Sequence, residues 1–282
     1  MDAKTAKGSS PPQGFRPVDV TRVRSRDRTA GVDRAATEEP LEVRLHGQPF
    51  AVIMRTPGAD RELAAGFLLS ERVVRSADDL GAIEYCADAD AGNVVDVTLA
   101  NGSADAVARI LADRRRVTTN SSCGLCGRLT IESLRVDLPA LACTWTIDRG
   151  GVAALPDRLR AAQNIFDETG GLHAAGLFTT EGRLEAVAED VGRHNAVDKV
   201  VGRMLMQERL PLSNHLLFVS GRTSYEIVQK AFVAGIPVVG SVSAPSSLAI
   251  DLAREAGVTL VGFVRGDSFN IYTHPERVGA DR

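Results

Sequence analysis

A chain of 282 residues with 44% hydrophobic and 24% charged side chains has a globular balance and room for one large domain or two smaller ones. Its formal charge of −3 argues against a general nucleic-acid binder, and no apolar run approaches the roughly 20 residues that span a bilayer. The first residues lack the apolar centre of a secretory signal, so a soluble cytoplasmic protein with no membrane or nucleic-acid partner is expected. Four cysteines in so long a chain do not make a disulfide scaffold.

Residues 1–39 are rich in charge, Pro, Gly and Ser with scattered valines, which predicts a flexible N-terminal tail carrying at most one short edge strand near 18–23. From Pro40 the pattern changes. Residues 41–45 and 49–54 read as a hairpin around His46-Gly47, residues 61–70 as a helix behind a cap-like Asp60, and 93–99 as an alternating strand. The stretch Thr118-Thr-Asn-Ser-Ser-Cys-Gly-Leu-Cys-Gly-Arg128 is short on apolar residues and reads as a mobile loop.

After Leu155 a βα rhythm sets in. A helix over 156–168 stops at Gly170-Gly171, strands follow at 174–180 and 184–189, and then a helix at 193–207. Strands at 215–220, 238–242, 259–264 and 270–273 alternate with helices at 224–234 and 246–255. The pattern predicts an α/β fold: a smaller α+β lobe over 40–145 that ends in the cysteine loop, and a larger lobe over 146–282 with a mixed, largely parallel sheet and flanking helices.

Cys123 and Cys126 are the only closely spaced thiols. A structural zinc site takes four ligands, and here Cys86 and Cys143 stand alone, while His173 or His194 would complete a site without any spacing signal. Two inert loop cysteines are an equally plain reading, although flanking glycines and a polar approach favour accessibility. A nucleophilic thiolate fits better, because Arg128 and Arg114 to Arg116 supply cations that lower a thiol pKa, and a second thiol can resolve a disulfide or hold a transferred sulfur.

Elsewhere, Glu189-Asp-Val-Gly-Arg-His-Asn-Ala-Val-Asp-Lys199 places His194 and Asp198 one turn apart near a helix start, which suits an anion or general-acid site, with a helix of capping carboxylates and ordinary ion pairs as the plainer alternative. The turns after three successive strands, 219–224, 241–247 and 262–268, carry Ser, Gly and arginine and suit a nucleotide-like ligand across the sheet edge. His173, in Gly-Leu-His-Ala-Ala-Gly176, fails a deaminase test: the position of the proton-shuttling Glu is Ala175 and no Pro-Cys-x-x-Cys follows. Trp145, the single tryptophan, is expected at the junction between lobes.

Five ordered motifs, Asn120 to Gly127, Gly170 to Gly176, Glu189 to Lys199, Ser220 to Glu226 and Tyr272 to Arg277, together resemble the FdhD family of sulfur carrier proteins required for formate dehydrogenase activity. The resemblance runs from about Pro40 to Val278. It implies a cytidine-deaminase-like larger lobe and a sulfurtransferase that takes sulfur from a cysteine desulfurase as a persulfide on Cys123, with Cys126 as acceptor, resolver or helper. The acceptor it implies is molybdenum (or tungsten) bis(molybdopterin guanine dinucleotide), destined for formate dehydrogenase, with no tightly bound zinc. The family's cofactor-binding stretch corresponds to Phe263, Val264, Arg265, Gly266, Asp267 and Ser268. Arg222 and His194 join them as candidate cofactor-binding residues. The resemblance also implies a homodimer. A cofactor-binding chaperone without transfer chemistry is the alternative.

Overall fold

The computed structural model of the chain describes residues 14–86, 92–100 and 138–279. Strands β1 (Phe15–Arg24) and β2 (Asp27–Ala36) pair antiparallel along their whole length, from Phe15↔Ala36 to Arg24↔Asp27. This corrects the expectation of a tail through residue 39 with at most one short strand. Val18, Val20 and Val32 do fall on a period-two ribbon, but charges occupy both of its faces, so no single apolar face announces it. Ser25, at φ 54°, makes the tight turn.

Strands β3 (Glu39–Leu45), β4 (Gln48–Arg55), β5 (Leu80–Tyr85) and β6 (Val94–Leu99) form a sheet in the order β4-β3-β6-β5. Leu41, Val43 and Leu45 alternate into the core, and helix α1 (Asp60–Ser70) covers them. Asp60 is not the cap. Ala59, with φ 52°, occupies that position, while the Asp60 carboxylate takes Arg55 Nε at 3.0 Å and Nη2 at 2.9 Å in a buried fork.

Past a short strand β7 (Ile147–Asp148) and a short helix α2 (Arg149–Ala153), the single helix expected over 156–168 is divided into α3 (Leu155–Arg160) and α4 (Asn164–Thr169). Gln163 leaves helical geometry at ψ 75°, and the Glu189 carboxylate then receives the N–H groups of Ile165 and Phe166 at 2.9 and 2.8 Å, which starts α4 afresh. Gly170 ends it at φ 64°.

The larger sheet contains β8 (His173–Thr179), β9 (Leu184–Asp190), β10 (His215–Val219), β11 (Val238–Ser241), β12 (Thr259–Arg265) and β13 (Ser268–Thr273). Its order is β13-β12-β11-β10-β8-β9. Only β10, β11 and β12 pair in parallel; the other three pairings are antiparallel, which corrects the largely parallel sheet. The turns 180–183 and 266–267 are too short for crossovers and impose hairpins at both edges. A last strand β14 (Val278–Gly279) pairs with β7.

Helices α5 (Arg193–Met206), α6 (Tyr225–Val233) and α7 (Ser247–Glu255) contribute to the same core as Leu217, Val219, Val239 and Leu260. Leu216, Phe218, Val238 and Val261 belong instead to a second cluster with Leu155 and Leu159 of α3. The first cluster also takes in Leu41, Val43 and Leu63, so one continuous core joins both sheets through α1 and α5. These helices cross at two glycines: a Cβ at Gly66 would strike the carbonyl of Asp198, and one at Gly202 that of Glu62.

Candidate functional site

At one edge of the larger sheet, the chain leaves β10 at Ser220 and β11 at Val242, and the antiparallel β8 begins beside them at His173. Ser220 prolongs the ladder there: its N–H reaches the Ala174 carbonyl at 3.0 Å and its hydroxyl accepts from Ala174 N–H at 2.8 Å. A crevice of about 580 Å³ opens at this edge, with Phe218, Ser220, Val242 and His173 on the sheet side and Phe166 and Gly171 on the α4 side. Such a volume suits a small-molecule group, at the place where α/β sheets present strand ends to ligands.

His173 is half-buried in this wall. Burial and the nearby Arg193 cation hold its pKa below the ordinary histidine value, so the imidazole is neutral near pH 7 and presents one donor and one acceptor nitrogen. Gly221 makes the arrangement possible: a Cβ there would come within 3.2 Å of His173 Nδ1 and 3.7 Å of Arg193 Cδ. The one sequence signal for His173 was its glycine-flanked motif.

The three strand-end turns do lie on adjacent strands. The turn after β10 and the turn after β11 are stitched together, Thr223 N–H donating to the Ala244 carbonyl at 3.2 Å and Ser246 N–H to the Thr223 carbonyl at 3.0 Å. The Phe263 N–H in turn donates to the Ser243 carbonyl at 3.1 Å, which ties in β12. Phe263 has φ 55° within a break in the β12–β13 register and is exposed, as are Arg222, Arg265, Gly266, Asp267 and Ser268. Val264 differs: its side chain is 1% exposed and belongs to the core beneath them.

His194 is buried under the turn that carries Arg222, its Nε2 3.1 Å from Ser224 Oγ and 3.8 Å from Glu226 Oε2. Much of the surrounding motif serves as a clamp. Asp190 pairs with Lys199 at 2.7 Å, accepts from Thr56 N–H at 3.1 Å and from Asn195 at 2.8 Å, while Lys199 donates to the Thr56 carbonyl at 2.8 Å. Asp198 pairs with Lys230 at 2.7 Å and accepts from the Ser70 hydroxyl at 2.8 Å, so it links α1, α5 and α6. Burial pushes the Asp198 carboxyl above the ordinary aspartate range, and Lys230 and Ser70 oppose that push.

Cys123, Cys126, Arg128 and Arg114 to Arg116 lie outside the described residues. Among the described residues, no three His, Cys, Asp or Glu side chains are grouped to hold a metal, and no helix is long and apolar enough to cross a membrane. Trp145 packs at the margin of the second core cluster and donates its indole N–H to the Ser213 carbonyl at 2.8 Å.

These features define a mixed α/β protein with two main sheets, a shared helical core and a ligand-sized crevice at the ends of the central strands. The chain belongs to the FdhD/NarQ family, whose match covers residues 36–279. It is 53% identical to the sulfur carrier protein FdhD of Streptomyces avermitilis, over 92% of this chain and 94% of that protein. The protein of the same name from Sulfurisphaera tokodaii is 48% identical, over 93% of this chain and 98% of its own. A crystal structure described as a candidate formate dehydrogenase accessory protein from Desulfotalea psychrophila superposes with a TM-score of 0.76 at 24% identity, covering 95% of this chain and all of that one, and shares the fold.

Proposed function

We propose that this chain is a sulfur carrier for formate dehydrogenase: it accepts sulfur from a cysteine desulfurase as a persulfide on Cys123 and passes it to molybdenum or tungsten bis(molybdopterin guanine dinucleotide). The named relatives support sulfur carriage. The observation that carries the acceptor half is the row of three stitched strand-end turns beside the crevice. The exposed Arg222 and Arg265 suit the phosphates of a guanine dinucleotide, and the exposed Phe263 ring suits its base.

In the first step the Cys123 thiolate attacks the terminal sulfur of the donor persulfide. The donor S–S bond breaks, its cysteine leaves as a thiolate, and the new S–S bond resides on Cys123 with no net redox change. Release as sulfide requires two electrons. Attack of the Cys126 thiolate on the Cys123 sulfur supplies them, expels sulfide toward the acceptor and leaves a Cys123–Cys126 disulfide for a cellular dithiol to reduce.

Mass spectrometry after incubation with a desulfurase and cysteine tests the reading. The Cys123 peptide gains one sulfur atom that dithiothreitol removes; Cys126→Ala still loads but fails to deliver. A Cys123→Ala protein that loads and delivers sulfur overturns the assignment. Dehydrogenase activation that survives replacement of both cysteines replaces it with a cofactor chaperone.

A further inference from the structure

The β1–β2 arm takes no part in either half of the proposed reaction. Among the described residues, only its root packs on the body: Gly14 lies against Ile165 of α4, Ala36 against Gly171, and Arg34 pairs with Glu168 while its guanidinium sits 5.3 Å from the Phe15 ring. From Thr21 to Ala30 every residue is exposed. A two-stranded ribbon standing alone is marginal in water, and this one also leaves Val23 and Val32 62% and 59% exposed.

Charge gathers at the tip. Arg22, Arg24, Arg26 and Arg28 face a single carboxylate, Asp27. Arg22 turns back to the Val32 carbonyl at 2.7 Å, whereas the side chains of Arg24, Arg26 and Arg28 form no hydrogen bond or ion pair with a described residue. Residues 15–36 hold six arginines against three aspartates, a net +3 in a chain of net −3, so the rest of the chain carries −6. The arm is a cationic handle on an anionic body. Its root shares α4 with the crevice wall, since Phe166 and Gly171 line that wall, so a partner held by the arm is tethered to the crevice.

We propose that the arm docks the acidic surface of a protein, and that this protein is the formate dehydrogenase that takes over the crevice's ligand; the choice of partner rests on the sulfur-carrier reading. Protein is favoured over nucleic acid on two observations. The exposed valines interleaved with the arginines offer apolar contact that a phosphate backbone does not use, and the −6 body repels a polyanion longer than the tip.

The experiment measures binding of the full chain to immobilised, cofactor-free formate dehydrogenase. The triple variant Arg24→Glu, Arg26→Glu, Arg28→Glu is expected to bind at least about tenfold more weakly at low salt, with the gap closing near about 0.5 M salt. Val23→Ser with Val32→Ser is expected to weaken binding about threefold at every salt concentration. Thermal unfolding of the body and persulfide loading of Cys123 stay at wild-type levels in both variants. Unchanged affinity, or no binding by the wild type, overturns the proposal. So does an effect that falls elsewhere: on loading from the desulfurase, on self-association in the ultracentrifuge, or on binding to a mixed-sequence DNA duplex. Failure of the wild type to form a persulfide would sink the sulfur-carrier reading while leaving the arm's binding result to stand or fall alone.

Discussion

The junction between the sheets and the crevice beside it draw on neighbouring residues and treat polar groups in opposite ways. At the junction, Asp190, Asn195, Asp198 and Lys199 are buried and each has its partners within about 3 Å. At the sheet edge, Arg222, Arg265 and Ser268 face solvent, and His173 stands neutral in a cavity wall. The polar side chains in the interior are committed to fastening α5 to α1 and α6 and to the end of β4. Those at the edge keep hydrogen-bonding capacity for a ligand.

The most severe way to break this contrast is at the glycine crossing. Gly202→Val is expected to abolish cooperative unfolding in circular dichroism, because its side chain meets the Glu62 backbone carbonyl, which cannot move aside as a flexible side chain could. A folded Gly202→Val protein with wild-type stability would show that the helices do not need close approach. Next in size is Lys230→Met, which strands the Asp198 carboxylate and should lower the unfolding free energy by about 3–5 kcal/mol in urea titrations. Adding Asp198→Leu should recover most of that loss. A single variant that costs under about 1 kcal/mol would mean that the junction is not clamped by this pair.

The smallest effect sharpens the other side. Because burial and Arg193 depress the His173 pKa, the folded state binds fewer protons than the unfolded state just below the free value of 6.5, and stability falls as pH drops through that window. His173→Gln removes this contribution. Wild type should therefore lose more stability than the variant between about pH 7 and about pH 5, measured by thermal melts. Equal losses would place His173 in solvent-like surroundings.

The sequence carried most of the elements after Leu155 because each has one dominant period and a Gly, Ser or Pro stop. It carried less of the pairing. The antiparallel flanks follow from turns too short for crossovers, and the division of the 156–168 helix depends on Glu189, a side chain distant in sequence. The β1–β2 arm escaped notice because charges on both faces hide its period. At the edge, the adjacency of the three strand-end turns was legible from their succession. The burial of Val264 was not, since the break in register at Phe263 shifts which side chains face out. Nor was the role of Lys199 and Asn195, whose partners Thr56 and Met54 are far back in the chain.

Glu189 and Asp190 are successive residues on β9, and their carboxylates point to opposite faces. Glu189 holds the first turn of α4, and Asp190 holds Thr56, Asn195 and Lys199. A slip of β9 by one residue would bring the shorter carboxylate to α4 and the longer one into the tight space around Lys199, so neither set of donors would be met. The order of two acidic residues thus acts as a register lock, and an edge strand with one neighbour can assemble in only one alignment.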